Sequence, residues 1–242
     1  MPVITEPREA YLFRGKNGLE TCIILSEDYA SMFPRGKLME HDKIKEILRQ
    51  LDEASIPYAI IGGMAYAHYC PPRTTQDLDL MVLAEDARKV RQLFNSYYLR
   101  GTRIVGVYDY HGTRFDVLPA SRRLQRSIVS RAMNSQIDEL PVKVARVQDL
   151  ILLKLIAAPN RPEMRKRMQD QTDVVGLIEY NHEQITAEDI VYMCQTLLQQ
   201  AYTLDDQNKA LQTIRWLNET LDELELSDLK YRLDDQNEEI LA

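Results

Sequence analysis

No run of about 18 or more apolar residues occurs in the 242-residue chain, so no transmembrane helix is expected. Cysteine is scarce: Cys22, Cys70 and Cys194 are an odd, scattered set. They have neither metal spacing nor a disulfide pattern, so reduced, structural thiols are expected. The first residues, MPVITEPREAYLF, have neither the basic start nor the apolar core of a signal peptide. The expected compartment is therefore the cytoplasm. There is no Walker sequence, no Ser/His/Asp spacing, no internal repeat and no low-complexity linker.

What is present is an ordinary globular composition, 45% hydrophobic and 28% charged, enough for one large domain or two small ones. The net charge of −7 argues by itself against nonspecific binding to nucleic acid. That average hides an asymmetry. From Arg100 to Arg167 there are fourteen Lys/Arg against six Asp/Glu, and from Thr203 to Ala242 four against eleven. The two stretches are either solvated faces of opposite sign or a basic middle that meets a phosphate-rich ligand.

The pattern of elements predicts an α+β fold, a small mixed sheet flanked by helices, with a helical C-terminal region. Residues 8–25 are expected as a small hairpin turning at RGKNG. Helices are expected over 40–55, 85–98, 146–158 and 163–180, and through the rest of the chain. There Leu204, Leu211, Ile214, Leu217, Leu221 and Leu224 form an amphipathic stripe. Strands are expected at YAIIG, at DLDLMVL and on either side of the YHG turn within 103–119, with a short helix from Gly63 to Tyr69. The expected domains are 1–140, a catalytic α/β domain carrying the hairpin, and 141–242, a helical domain.

The stretch YAIIGGMAYAHYCPPRTTQDLDLMV, residues 58–82, raises the functional question. Glycines weaken regular elements, and a carboxylate among apolar residues is costly. Side chains at i and i+2 of a strand share a face, so Asp77 and Asp79 are expected to project together. Two carboxylates this close repel unless a cation sits between them. Magnesium suits hard oxygen ligands and keeps substrate phosphates in its shell. Asp116, between Phe115 and Val117, supplies a third acid. Three such acids can hold two magnesium ions, one activating a hydroxyl and one stabilising pyrophosphate. Gly62 and Gly63, at a helix start, let a triphosphate approach the backbone.

Gly62-Gly63, thirteen intervening residues and Asp77-Leu78-Asp79-Leu80 resemble the signature of the DNA polymerase beta-type nucleotidyltransferases. The run RTTQDLD is similar to that of bacterial nucleotidyltransferases including the AbiEii and MenT toxins. A second block, KLIAAPNRPEMRKRMQDQTD, resembles the same family through Lys154, Ala157, Arg167, Asp170 and Asp173. Gln169 stands where the family has a lysine, and Cys70 where it commonly has glycine. The resemblance implies a nucleotidyltransferase fold and transfer of a nucleoside monophosphate from an NTP to an acceptor hydroxyl. Asp77 and Asp79 would bind both metals, and Asp116 the catalytic one. Gly62, Gly63, Arg73 and Lys154 would hold the nucleotide. It also implies a toxin-like or stress role, tRNA as one acceptor, and a cognate antitoxin as partner.

Each residue also has a plainer reading. Lys154 can snorkel from an apolar helix. Arg73 can be an ordinary loop arginine, and Asp170 and Asp173 can pair with neighbouring arginines. His68 reads as a packing residue and His111 as a solvated turn residue. Arg122, Arg123 and Arg126 follow the Asp116 strand and are candidate contacts for an RNA acceptor. The rivals to RNA modification are a protein-modifying AMP transferase, an antibiotic-modifying enzyme and a catalytically inactive nucleotide-binding regulator.

Overall fold

In the computed structural model residues 18–32 and 39–233 are described. The chain falls into two compact units, Met1–Arg146 and Val147–Ala242.

The first unit is built on a seven-stranded mixed sheet. Helices α1 (Gly18–Met32) and α2 (His41–Glu53) precede β1 (Tyr58–Ile61), α3 (Gly62–Tyr69) and β2 (Leu78–Leu83). Then come α4 (Ala87–Leu93), β3 (Tyr98–Gly101), β4 (Gly106–Tyr110), β5 (Thr113–Ala120), α5 (Arg123–Ser130), β6 (Met133–Ile137) and β7 (Leu140–Val144). The strand order is β3-β4-β5-β2-β1-β7-β6. The β1–β2 pair is antiparallel, whereas β2–β5 and β1–β7 are parallel. All four residues of β1 are buried, as a central strand with covered faces requires. Phe115 and Val117 of β5 are buried too, and each such side chain contributes about 1.5–3 kcal/mol.

The expected N-terminal hairpin is corrected where the structure describes it. Residues 18–25 are helical, as part of α1, and residues 8–17 lie outside the described residues. Leu19, Cys22, Ile23 and Ser26 are all buried, and that is i, i+3, i+4, i+7 spacing. The helix expected over 85–98 ends at Leu93. Residues 95–97 form a single 3-10 turn, and Tyr98 opens β3. Phe94 is fully buried and packs edge-on against Tyr108, Tyr110 and Phe115, which fixes the chain at this corner. Cys22, Cys70 and Cys194 are free and buried. Burial pushes the Cys22 thiol up to about 11 and the Cys194 thiol up to about 12, so both stay protonated near neutrality.

The second unit is helical: α6 (Val147–Ala157), α7 (Met164–Asn181), α8 (Ala187–Gln199) and α9 (Leu204–Glu223). Helix α6 is buried around most of its circumference, which marks a core helix. Helices α8 and α9 start at capping boxes, Thr186 with Asp189 and Thr203 with Asp206. Leu211, Ile214, Leu217 and Leu221 of the expected stripe are buried, while Leu204 is exposed at the helix start. Among the described residues no helix is long and apolar enough to cross a membrane.

Candidate active site

The sheet brings the two halves of the glycine–aspartate motif together. β1 ends at Ile61, and Gly62 turns the chain into α3 with φ of +67°. A residue other than glycine loses roughly 1–2 kcal/mol in this left-handed region. Space is the harder limit, because a Cβ on Gly62 would lie 2.0 Å from Asp79 Oδ2. Register explains the approach: Ile61 pairs with Asp79 across β1 and β2. A Cβ on Gly63 would lie 2.6 Å from Thr75 Oγ1 and 3.6 Å from Arg73 Nη1. Gly62, Gly63, Arg73, Thr75 and Asp79 therefore meet at the end of β1.

The acids meet on the next pair of strands. Asp79 and Asp116 are direct partners in the parallel β2–β5 ladder. Asp77 does not lie in the strand but in the bend just before Leu78, so the shared strand face expected for Asp77 and Asp79 is not the device that joins them. Arg114, a residue outside the candidates named from the sequence, joins Asp77 to Asp116 instead. Arg114 Nε lies 3.7 Å from Asp77 Oδ2 and donates to Asp116 Oδ1 at 3.0 Å, while Nη2 donates to Asp116 Oδ2 at 2.9 Å. Its guanidinium pKa is raised, chiefly by the hydrogen bond to Asp116 and against partial burial. The charges of Asp116, Asp77 and Asp79 add to the rise. The signal was present in TRFDV, since Arg114 and Asp116 stand two apart and so share a face of β5.

The donor set suits a hard cation: three carboxylates, two of them in register, with Asp79 lying against Gly62. Arg114 shows that this face accepts positive charge. Among the described residues no three acidic, histidine or cysteine side chains already close round a common point. A divalent ion entering here would compete with the arginine for Asp116.

The loop carrying Arg73 and Thr75 is fixed from α1. The Ser26 hydroxyl donates to the Cys22 carbonyl at 2.7 Å and accepts from the Thr75 amide at 2.9 Å. The Cys22 thiol donates to the Arg73 carbonyl at 3.1 Å. The Arg73 guanidinium lies 5.2 Å from the Tyr66 ring centre, a cation–π contact that aims it back at α3. Reading residues 18–25 as a strand hid Ser26 from the sequence analysis.

The other candidates have separate settings. In the second unit, Lys154 Nζ donates to Asp173 Oδ2 at 2.6 Å and to Asp170 Oδ1 at 3.2 Å. Arg161 Nε donates to the other oxygen of Asp170 at 2.8 Å. Lys154, Asp170 and Asp173 are all buried. Arg122 precedes α5 and Arg123 begins it, both exposed, while Arg126 is gripped by Glu85 through two hydrogen bonds of 2.6 and 2.7 Å. His68 is half-buried, and desolvation lowers its pKa. His111 sits in the exposed turn with φ of +52°, 2.8 Å from the Tyr97 hydroxyl.

A sequence model described as nucleotidyl transferase AbiEii toxin, Type IV TA system, matches residues 46–240. The chain belongs to this family. No curated protein matches it. Among solved structures, it resembles an antigenic nucleotidyltransferase-like protein from Paracoccidioides brasiliensis, at 18% identity and a TM-score of 0.51, over 81% of this chain and 96% of that one. JHP933 from Helicobacter pylori matches at 16% identity and a TM-score of 0.41, over 83% and 85% of the two chains. The Thermotoga maritima CCA-adding enzyme complexed with tRNA matches at 13% identity and a TM-score of 0.30, over 82% and 64%. The family match and the first of these likenesses make the chain an enzyme of the nucleotidyltransferase fold.

Proposed function

We propose that Asp77, Asp79 and Asp116 form the catalytic centre and hold two magnesium ions, and that Gly62, Gly63 and Arg73 cradle an NTP. The observation that carries this is the in-register pair Asp79–Asp116, with the Asp79 carboxylate lying against the glycine turn where a Cβ on Gly62 would stand. Bound magnesium would neutralise the triphosphate and polarise the reacting phosphorus. The chain's own residues would do the rest. Backbone amides at the start of α3 meet the phosphate oxygens, and Arg73 adds a guanidinium. Asp116 would accept a hydrogen bond from the acceptor hydroxyl, orient it and take up its proton as the oxygen attacks. The new bond joins the acceptor oxygen to the α-phosphorus, and the bond from that phosphorus to the β-bridging oxygen breaks. Pyrophosphate leaves. Lys154, which the resemblance assigns to the nucleotide, spends two of its three N–H donors on Asp170 and Asp173.

The acceptor we favour is an RNA, with a tRNA 3′ end the leading candidate, because Arg122 and Arg123 expose positive charge after the Asp116 strand. Membership of a toxin family makes a cognate antitoxin protein the expected partner. A protein acceptor is the second reading, favoured by the engagement of Arg126 with Glu85, which reduces the charge open to a polyanion. The test is incubation with each α-³²P-labelled NTP and whole-cell lysate, with Asp79→Asn as control. Label on RNA that Asp79→Asn abolishes is the expected result. Label on protein would replace the RNA reading, and no label from any NTP would make the protein an inactive nucleotide-binding regulator.

A further inference from the structure

From Ala87 to Tyr108 the chain carries five Lys/Arg and no Asp/Glu, within a protein whose net charge is −7. These residues form α4, β3 and the first part of β4, at one end of the sheet. Lys89 is paired with Asp86 at 2.6 Å. Arg88, Arg91, Arg100 and Arg103 have no carboxylate partner among the described residues. The Arg91 guanidinium lies over the Tyr98 ring, which holds it beside β3. Four positive charges are thus left to meet a partner of opposite sign.

The backbone of the same region is open. β3 is an edge strand, with β4 on one side and no described strand on the other. One row of its N–H and C=O groups therefore points away from the sheet without a ladder partner. Tyr98 pairs with Tyr108 and Arg100 with Val107, so Leu99 between them is an extra, bulged residue. Leu99 is 55% exposed, and Ile104 in the turn that follows is 76% exposed. Beside the strand, a cleft of about 220 Å³ is lined by Arg91, Tyr98, Thr102, Val105, Tyr108 and Pro119. It falls below the roughly 300–1,000 Å³ of small-molecule sites and suits a single side chain. A glutamate fits it: the methylenes lie against the tyrosine rings, and the carboxylate meets Arg91.

We propose that β3 docks an extended, acidic segment of a partner protein, which adds to the sheet as a further strand. Backbone hydrogen bonds along the edge supply affinity, while the cleft and the arginines select the side chains. A second copy of this chain is a poor occupant. Pairing β3 with itself would set the arginines of one copy beside those of the other, and like charges facing across strands are destabilising. An RNA would answer the arginines but leave the strand edge unpaired and Leu99 and Ile104 in solvent. The surface uses none of the residues proposed to hold magnesium or nucleotide, so it stands or falls apart from that reading.

The experiment titrates the full-length protein into a fluorescein-labelled peptide of alternating glutamate and valine, about ten residues long, the upper range of strand lengths. A lysine–valine peptide, polyglutamate and a short single-stranded RNA are the controls. Fluorescence anisotropy should show saturable binding of the glutamate–valine peptide and none of the lysine–valine one. Polyglutamate, a poor strand former, should bind at least about tenfold more weakly. Amide hydrogen exchange over residues 98–101 should slow in the complex, which contacts to the arginines alone would not cause. Arg91→Ala should weaken binding about tenfold, as loss of one charged hydrogen bond does, and Arg100→Glu should abolish it, both checked for folding by circular dichroism. Asp79→Asn should bind the peptide as the native protein does, which separates this surface from the acids. Absence of saturable binding at millimolar concentration overturns the proposal. So does binding without protection of the β3 amides, or binding that both folded arginine variants retain. Tighter binding of the RNA, lost in Arg100→Glu, would give the surface to nucleic acid instead. A dimer in light scattering whose β3 amides are protected without peptide would give it to a second copy.

Discussion

Arg114 holds Asp116 by both carboxylate oxygens from two positions away on the same strand. The guanidinium thereby occupies the acids proposed to hold magnesium, and it reaches Asp77 as well. Charged hydrogen bonds are worth roughly 1.5–3 kcal/mol each, so in EDTA Arg114→Ala should lose about 1–3 kcal/mol of stability. With the competitor gone, magnesium should raise the melting temperature of Arg114→Ala more than that of the native protein. Equal magnesium-induced shifts would refute the competition.

Gly62→Ala tests the turn. Strain at φ of +67° costs roughly 1–2 kcal/mol, and the added methyl must displace the Asp79 carboxylate that would lie 2.0 Å from it. Nucleotidyl transfer should fall to background while circular dichroism still shows a folded protein. A variant retaining near-native turnover would remove Gly62 and Asp79 from the site.

Lys154 separates two roles. If it serves the second unit as the counterion of Asp170 and Asp173, Lys154→Met takes one charged partner from each of two buried carboxylates, leaving Arg161 on Asp170, and costs about 3–5 kcal/mol. Adding Asp170→Asn and Asp173→Asn should restore much of the loss. If it serves a triphosphate instead, the melting temperature without nucleotide will hold and only the NTP-induced rise will shrink.

His68 predicts an acid-side loss. Its folded pKa lies below the ordinary 6.5, because burial disfavours the charged ring. The unfolded chain therefore binds the proton more readily. The stability contributed by neutral His68 is complete above 6.5 and is lost as pH falls through that value toward the folded pKa. Urea unfolding between about pH 8 and pH 5 should show a shallower decline in His68→Gln than in the native protein.

Glu85 tests the RNA reading. Its carboxyl is held down to about 2, first by the hydrogen bond from Arg126, so the pair is fully charged at neutral pH. On an exposed surface the pair adds little to stability. Glu85→Gln should leave the melting temperature unchanged but free one cation. The slope of RNA affinity against salt should then steepen by about one unit. An unchanged slope would place RNA binding away from α5.

Much of the candidate site is legible because its residues sit in a local pattern. An apolar run, a glycine pair and an alternating acid strand foretold β1, α3 and β2, and the acid of β5 was visible between Phe115 and Val117. Arg114 obeys the same alternation, but an arginine beside an acid on a strand carries no signal that sets it apart from an ordinary surface pair. Helix α1 was misread because LETCIIL is rich in apolar and β-branched residues, which suit a strand, while its burial follows helical spacing. β6 and β7 were not read at all. Met133–Ile137 is mostly polar, as an edge strand can be, and Pro141 interrupts the strand signal of β7. The pairing of Lys154 with Asp170 and Asp173 was anticipated only as a pairing of the acids with arginines. Which cation meets which acid depends on helix packing that spacing alone does not encode.

The mixed order of the sheet has a consequence for synthesis. β1 and β2 are antiparallel neighbours close in sequence and can pair as soon as both leave the ribosome. Asp79 must then wait for β5 to deliver Asp116, and the other flank of β1 stays open until Val144 arrives to pair beside Ile60. Long-range parallel pairings of this kind form slowly and leave apolar edges bare in the nascent chain. The growing polypeptide thus lacks its in-register acid pair until β5 has emerged, and keeps one edge of β1 open to chaperones until β7 has followed.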